Sequence, residues 1–178
     1  MANWTFDPTH SGIHFAVRHL MISKVRGSFT KWTGTFEYDD KDPTKSHIAV
    51  TIDAASIDTK EAQRDGHLKS ADFFDVEKFP TITFKSTSIA KDGEDWKLNG
   101  DLTIHGVSKP VSLHVESHGQ GKDPWGNERA GFSVKTSISR KEFGLHWNQA
   151  LEAGGVVVGD KVEIECDVEA IKAAVKAA

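Results

Sequence analysis

Histidine is the residue type in this chain best suited to chemistry, because imidazole serves as a proton carrier and as a metal ligand. Nine histidines are present. His10, His14 and His19 lie close together in the sequence, and His114 and His118 lie four residues apart. A zinc site needs three or four converging ligands, whereas residues i and i+4 of a strand lie about 13 Å apart. We therefore expect structural or surface histidines, with no metal site and no catalytic residue.

The other patterns typical of enzymes are missing from the sequence. There is no Gly-x-Ser-x-Gly motif of the kind that presents a nucleophilic serine, and no glycine loop suited to phosphate. The single cysteine, Cys166, lies in an apolar row, which predicts a small buried side chain. We expect that the protein is not an enzyme and needs no cofactor.

Arg140 is the most suggestive charged residue, because it precedes a segment that mixes cations with aromatic side chains, including Trp147. Its guanidinium suits a polar or anionic group of a ligand, with Trp147 or Trp125 nearby. The other interpretation is an ion pair with Asp160 or another acidic loop residue that fixes the end of the barrel. We favour the ion pair, since structural ion pairs commonly explain such residues.

Length and charge limit the possible classes of protein. The 178 residues fit one domain, residues 1–178, and the net charge of −4 lacks the basic excess of a nucleic-acid-binding protein. No apolar run approaches the ~20 residues of a membrane helix, so we expect a protein that is not membrane-embedded. The first twelve residues lack a basic region followed by an apolar stretch, which predicts a cytoplasmic protein, or a periplasmic one if a leader has been removed.

Apolar and polar side chains alternate along most of the chain, which indicates strands with one dry and one wet face. Turn-forming residues divide these rows into about eight strands, which could close into a barrel or pack as two sheets. The alternation changes phase near Thr30 and Lys31, which predicts a β-bulge. Small residues in the inward rows suggest open space along the axis: Gly34, Ala54, Ser86, Gly100 and Ala130. Periodicity alone leaves a filled and a hollow interior equally open.

One segment departs from the strand pattern. Asp58 and Glu61 have the spacing of a capping box, followed by a predicted helix over residues 62–69 and a tighter helical turn over residues 70–75. Residues 170–178 are rich in alanine and lysine, which predicts a frayed terminal turn. The aromatic side chains expected to pack down over the barrel are Phe73, Phe74 and Phe79.

Several motifs occur in one order along nearly the whole chain. They are residues 7–11 (Asp7-Pro8-Thr9-His10-Ser11), 64–74, 79–84, 100–111, 139–145 and 158–162. In these motifs the chain resembles the YceI-like family of lipid-binding proteins. The resemblance implies an all-β fold, an extended eight-stranded antiparallel lipocalin-like barrel with one short helical insertion near residues 60–75. It also implies a bound isoprenoid or other amphiphile, and often a homodimer.

The resemblance, added to the strand pattern, implies a protein that binds a long-chain isoprenoid or related amphiphilic lipid, of the polyprenyl or quinone type, for carriage or storage. No nucleic acid is expected as a partner, and a homodimer is possible. The alternatives are a metal- or histidine-dependent enzyme and a filled barrel that acts as an interaction module. The residues expected to contact the ligand are Phe15, Val17, Phe36, Ile52, Phe84, Leu102, Leu113, Phe132, Val134, Arg140, Trp147 and Ile164.

Overall fold

The alternating rows of the sequence form strands in the computed structural model, which describes residues 1–151 and 155–174. The strands are β1 (Ala2–Phe6), β2 (Gly12–His19), β3 (Ser23–Phe29), β4 (Trp32–Tyr38), β5 (His47–Asp53), β6 (Ile57–Asp58), β7 (Thr81–Asp92), β8 (Asp95–Ile104), β9 (Val107–Lys122), β10 (Glu128–Ser139) and β11 (Val158–Lys172). The helix is α1 (Ala62–Lys69), and short 3-10 helices span Pro43–Lys45, Ala54–Ser56 and Arg140–Phe143.

Eight of these strands close into an antiparallel barrel. Their order is β1, β4, β5, β7, β8, β9, β10 and β11, and β11 pairs again with β1. The N-terminal part of β11 pairs instead with β2, which continues the wall through β3 and the two-residue strand β6. The expected eight-stranded barrel is therefore confirmed. Closure leaves the barrel without the exposed edges of an open sheet.

The β-bulge expected near residue 30 was wrong, because the phase change there is a break between β3 and β4. Thr30 and Lys31 belong to neither strand, and the amide of Asp53 donates to the Lys31 carbonyl at 2.9 Å. Phe29 before the break and Trp32 after it both face the barrel interior. The two-residue interruption is what lets both halves of the row point inward.

Aromatic side chains fill the end of the barrel where β1 meets β4 and β11. Trp4 and Phe36 are buried there with Ala130 and Ala170. The ring of Phe132 packs edge-on against Phe36 at 5.8 Å between centroids. Phe36 and Phe132 of this cluster also line the interior cavity.

The helical insertion lies beside β3 and β6, toward the opposite end of the barrel. Phe73 is buried, and Phe74 contacts Phe29 with 6.0 Å between ring centroids. Phe79 packs instead against His105, at 4.6 Å. The expectation that these three aromatic residues pack against the barrel is confirmed. No helix among the described residues is long and apolar enough to cross a membrane.

Three local expectations were wrong. The helix is capped by Glu61, whose carboxylate accepts from the Gln63 and Arg64 amides, because Asp58 is held in strand β6 and accepts from the amide of Lys60. Residues 70–75 form hydrogen-bonded turns without continuing as helix. Residues 170–172 belong to β11, since they pair with β1, and residues 175–178 lie outside the described part of the chain.

The small inward residues do not provide the open space. A Cβ atom on Gly100 would collide with the Phe84 ring and lie 2.6 Å from the carbonyl oxygen of Lys85. A Cβ on Gly34 would lie 2.6 Å from the Phe6 ring. The missing side chains of these glycines thus leave room for aromatic rings from the neighbouring strands. The same expectation fails for Ala54, Ser86 and Ala130, because none of them lies on the cavity wall.

Candidate ligand-binding site

The barrel encloses a cavity of about 620 Å³. This volume falls within the ~300–1,000 Å³ of typical ligand pockets, and its wall is almost entirely hydrocarbon. Side chains from all eight barrel strands contribute to the wall. The interior is therefore hollow, and the filled-barrel alternative is wrong.

All twelve residues expected at a ligand site lie on this wall. They are Phe15, Val17, Phe36, Ile52, Phe84, Leu102, Leu113, Phe132, Val134, Arg140, Trp147 and Ile164. Sequence reasoning omitted further wall residues that share their rows, among them Trp32, Ile82, Trp96, Leu98 and Ile104, and it also omitted Phe6 of β1. The sequence signal was present, because Ile82 lies two residues from Phe84 and Leu98 four residues from Leu102, so each pair faces the same side of its strand.

Arg140 is a buried structural cation, with only 3% of the residue exposed. Its Nε donates to the carbonyl oxygen of Gly159 at 2.8 Å. Its Nη1 donates to the carbonyls of Leu145 and Trp147 at 2.6 and 2.9 Å. Its Nη2 donates to the carbonyl of Val158 at 3.3 Å. Four N–H donors thus hold the segment after β10 against the start of β11, where the guanidinium forms part of the cavity wall.

The expected ion pair between Arg140 and Asp160 does not form. Asp160 accepts instead from Ser139 Oγ at 2.6 Å and from the amide of Lys141 at 3.2 Å. The chain after β10 folds back and presents its carbonyl groups to the guanidinium, which leaves Asp160 on the outside. Burial lowers the pKa of Arg140, partly offset by the nearby charge of Asp160.

Aromatic side chains from α1, the following turn and the segment after β10 cover this end of the cavity. Trp147 lies 4.7 Å from the His67 ring and 5.3 Å from the Phe73 ring, centroid to centroid. The His67 Nε2 atom lies 2.9 Å from an Asp72 carboxylate oxygen. Trp125 was a wrong candidate for this position, because it lies on the β9–β10 hairpin at the other end and is 80% exposed.

Cys166 lies on the cavity wall, as its apolar row predicted. Burial raises the pKa of its thiol to about 12. A thiol needs to ionise before it acts as a nucleophile, so this environment disfavours reactivity.

His114 and His118, which lie four residues apart on β9, have separate partners. His114 Nε2 lies 3.0 Å from Asp95 Oδ2, while His118 Nε2 lies 2.6 Å from Ser133 Oγ. These are the hydrogen-bonded roles expected from the strand spacing.

A charged cluster that sequence reasoning missed joins the N-terminal segment to the ends of β10 and β11. We call it the Arg129 cluster: Asp7, His10, Asp123, Arg129 and Glu169. Arg129 Nη1 donates to Asp7 Oδ2 and to Glu169 Oε1, both at 2.7 Å, and its Nε donates to Asp123 Oδ2 at 2.8 Å. Asp7, His10 and Glu169 are also the one group of three candidate metal ligands found among the described residues. A guanidinium already bridges its two carboxylates.

Hydrogen bonding shifts the ionisation of this cluster. The Thr9 hydroxyl, then His10 and Arg129, hold the pKa of Asp7 well below its usual range. Arg129 does the same for Asp123. The hydrogen bond to Asp7 raises the pKa of His10. The members lie up to 162 residues apart, so no local pattern indicates them.

A closed antiparallel barrel around an apolar cavity defines a lipocalin-like class of protein. The chain belongs to the YceI-like domain family, whose model matches residues 4–170. Protein YceI from Escherichia coli O157:H7 is 46% identical over 136 residues, which cover 76% of this chain and 71% of that protein.

Two solved structures share the fold. BcnA from Burkholderia cenocepacia superposes with a TM-score of 0.81 at 23% identity, covering 92% of this chain and 98% of that one. A structure described as a polyisoprenoid binding domain from Saccharophagus degradans has a TM-score of 0.68 at 15% identity, covering 97% and 100%. At these identities the likeness concerns the fold.

Proposed function

We propose that this protein binds a long-chain isoprenoid or related amphiphilic lipid, of the polyprenyl or quinone type, inside the barrel for carriage or storage. The observation that carries the proposal is the cavity of about 620 Å³ with a hydrocarbon wall. The fold shared with a domain described as polyisoprenoid-binding supports the same ligand class.

The wall favours a ligand held by its hydrocarbon part. Burial of one methylene group contributes about 0.8 kcal/mol, so a five-carbon isoprene unit contributes roughly 4 kcal/mol. Two or three buried units thus supply about 8–12 kcal/mol, before the cost of ordering the chain. Affinity of this kind requires no polar contact, which suits carriage or storage of a lipid without chemical change.

The polar head of the ligand belongs at the end covered by Trp147. Polar side chains reach the wall there, namely Gln63, Arg64 and His67 of α1. Arg64 is fixed in place, because its Nε and Nη2 donate to the hydroxyl and carbonyl oxygens of Thr59 at 2.8 and 2.7 Å. Arg140 fixes the backbone at this end of the cavity, and we do not assign it a contact with the ligand head group.

Titration with farnesol, followed by tryptophan fluorescence, tests the proposal, because Trp32, Trp96 and Trp147 lie on the wall. We expect saturable binding by the delipidated protein. Phe84→Glu places an unpaired charge in the wall and should weaken binding about 100-fold or more. Lys85→Glu is the matched control, since Lys85 is exposed on the outer side of the same strand.

A second variant guards against misfolding of Phe84→Glu. Val134→Trp reduces the cavity volume without adding charge, and should also weaken binding while Lys85→Glu leaves it unchanged. If the wild type shows no saturable response, or if both wall variants bind as well as wild type, the proposal is wrong.

A further inference from the structure

The β2–β3 hairpin exposes three consecutive apolar side chains at its tip. Leu20 is 37% exposed, Met21 52% and Ile22 83%. Leu20 and Met21 have positive φ angles of 54° and 64°, a conformation that costs energy for residues other than glycine. Stability alone would favour glycine or a polar residue at these positions.

The tip is held in place beside the cavity. The amide of Leu20 donates to the Val157 carbonyl at 2.8 Å, and the amide of Ile22 donates to the His19 carbonyl at 3.2 Å. Val157 and His19 both belong to the cavity wall. The exposed apolar residues therefore stand at the rim of the cavity, on the end covered by Trp147.

Basic side chains surround the outer face of this hairpin. Arg18 and Lys24 are paired directly across β2 and β3, and Arg26 follows on β3. Lys161 lies next to them on β11, where Val162 pairs with Val17 of β2. All four cations are exposed.

Among the residues that the structure describes, the acid Glu163 lies within this basic face, 2.9 Å from Lys24 Nζ. Like charges directly opposed across strands repel each other, and the single carboxylate of Glu163 offsets only part of the charge of Arg18, Lys24 and Lys161. In a chain with a net charge of −4, such a face is complementary to an anionic surface.

We propose that the β2–β3 tip docks the protein on an anionic lipid bilayer. Leu20, Met21 and Ile22 enter the boundary of the hydrocarbon, and the four cations contact the lipid head groups. Docking places the cavity rim at the bilayer surface, where an isoprenoid can pass between membrane and barrel with little exposure to water. That last step rests on the proposed function, whereas docking itself does not.

Flotation of the purified protein with vesicles of equimolar phosphatidylglycerol and phosphatidylcholine tests this docking. The double variant Met21→Asn/Ile22→Ser should reduce vesicle partitioning about tenfold or more, and asparagine tolerates the positive φ. Arg26→Gln/Lys161→Gln should reduce it about 25-fold, near fivefold for each cation, with no effect on pure phosphatidylcholine. Trp125→Ser, an exposed aromatic residue at the opposite end, should change nothing.

Equal partitioning of the wild type and the tip variant, or no binding of the wild type to anionic vesicles, would overturn the proposal. A tip variant that converts a dimer to a monomer, with no vesicle binding by the wild type, would identify the tip as an interface between copies. Native mass spectrometry of the same samples separates membrane docking from lipid binding in the barrel. A tip variant that no longer binds vesicles but still contains lipid has lost docking alone. Docking by a protein that never contains lipid would instead contradict the proposed function.

Discussion

Replacement of Arg140 with methionine should destabilise the fold while leaving the cavity able to hold lipid. The substitution keeps an apolar stem of similar shape but removes the guanidinium donors. The carbonyl oxygens of Leu145, Trp147 and Gly159 then lose this donor. The carbonyl of Val158 still accepts from Asn148 Nδ2 at 2.7 Å.

The size of the effect follows from these three acceptors. A buried polar group left without a partner costs about 1–3 kcal/mol, whereas removal of the buried cation recovers part of its desolvation cost. Taking the low end for each carbonyl, we expect Arg140→Met to lower the free energy of unfolding by about 3 kcal/mol. For a domain of this size the melting temperature should fall by roughly 6–12 °C.

Urea denaturation followed by circular dichroism measures this loss, and lipid content is measured on the folded variant. Lys141→Met is the matched control, because Lys141 is exposed and its substitution should stay within about 0.5 kcal/mol. If Arg140→Met is as stable as wild type but retains no lipid, Arg140 acts on the ligand, and the structural role derived from its carbonyl partners is refuted.

Three further predictions concern other parts of the barrel. In the Arg129 cluster the pKa values of Asp7 and Asp123 are lower in the folded protein than in the unfolded chain. These carboxylates therefore stabilise the fold at pH values above about 4, and that stabilisation is lost as the pH falls further. Arg129→Met should therefore flatten the acid limb of a plot of urea midpoint against pH, and an unchanged limb would contradict this. Gly100→Ala should lower the free energy of unfolding by about 1–3 kcal/mol through overpacking. Gly66→Ala on α1, where a Cβ meets nothing within 4 Å, should raise it by about 0.5–1 kcal/mol. Equal effects of the two substitutions in thermal melts would refute the packing argument. The Cys166 thiol, with its pKa of about 12, should react with iodoacetamide at pH 8 only after unfolding, and rapid labelling of the native protein would contradict its burial.

The barrel and its wall follow closely from local patterns. Alternation assigns each side chain to one of two faces, and a closed sheet has only one interior. That is why Phe15 and Ile164, which lie far apart in the sequence, could both be placed on the wall from the sequence alone. The phase change at Thr30 was readable for the same reason.

Features that depend on distant contacts were beyond these patterns. The partners of Arg140 are backbone carbonyls of a segment that folds back, and no side-chain type indicates them. Gly100 was expected to leave open space, but the Phe84 ring of the neighbouring strand occupies that space. The Arg129 cluster needs the closed barrel before its members meet.

The prediction of the residue that caps α1 was wrong for a related reason. Asp58 fits a capping box by spacing, but its backbone is paired with β3, so that Glu61 begins the helix. Trp125 was misplaced although the sequence could have excluded it, because Trp125 precedes β10 and Trp147 follows it, which places the two at opposite ends of that strand.

Native mass spectrometry of the protein purified without detergent, followed by organic extraction, tests the central claim most directly. We predict a noncovalent adduct that yields an isoprenoid lipid on extraction, or uptake of one added isoprenoid molecule per chain by protein that was purified empty. A protein that carries no adduct and takes up no added isoprenoid would contradict the account.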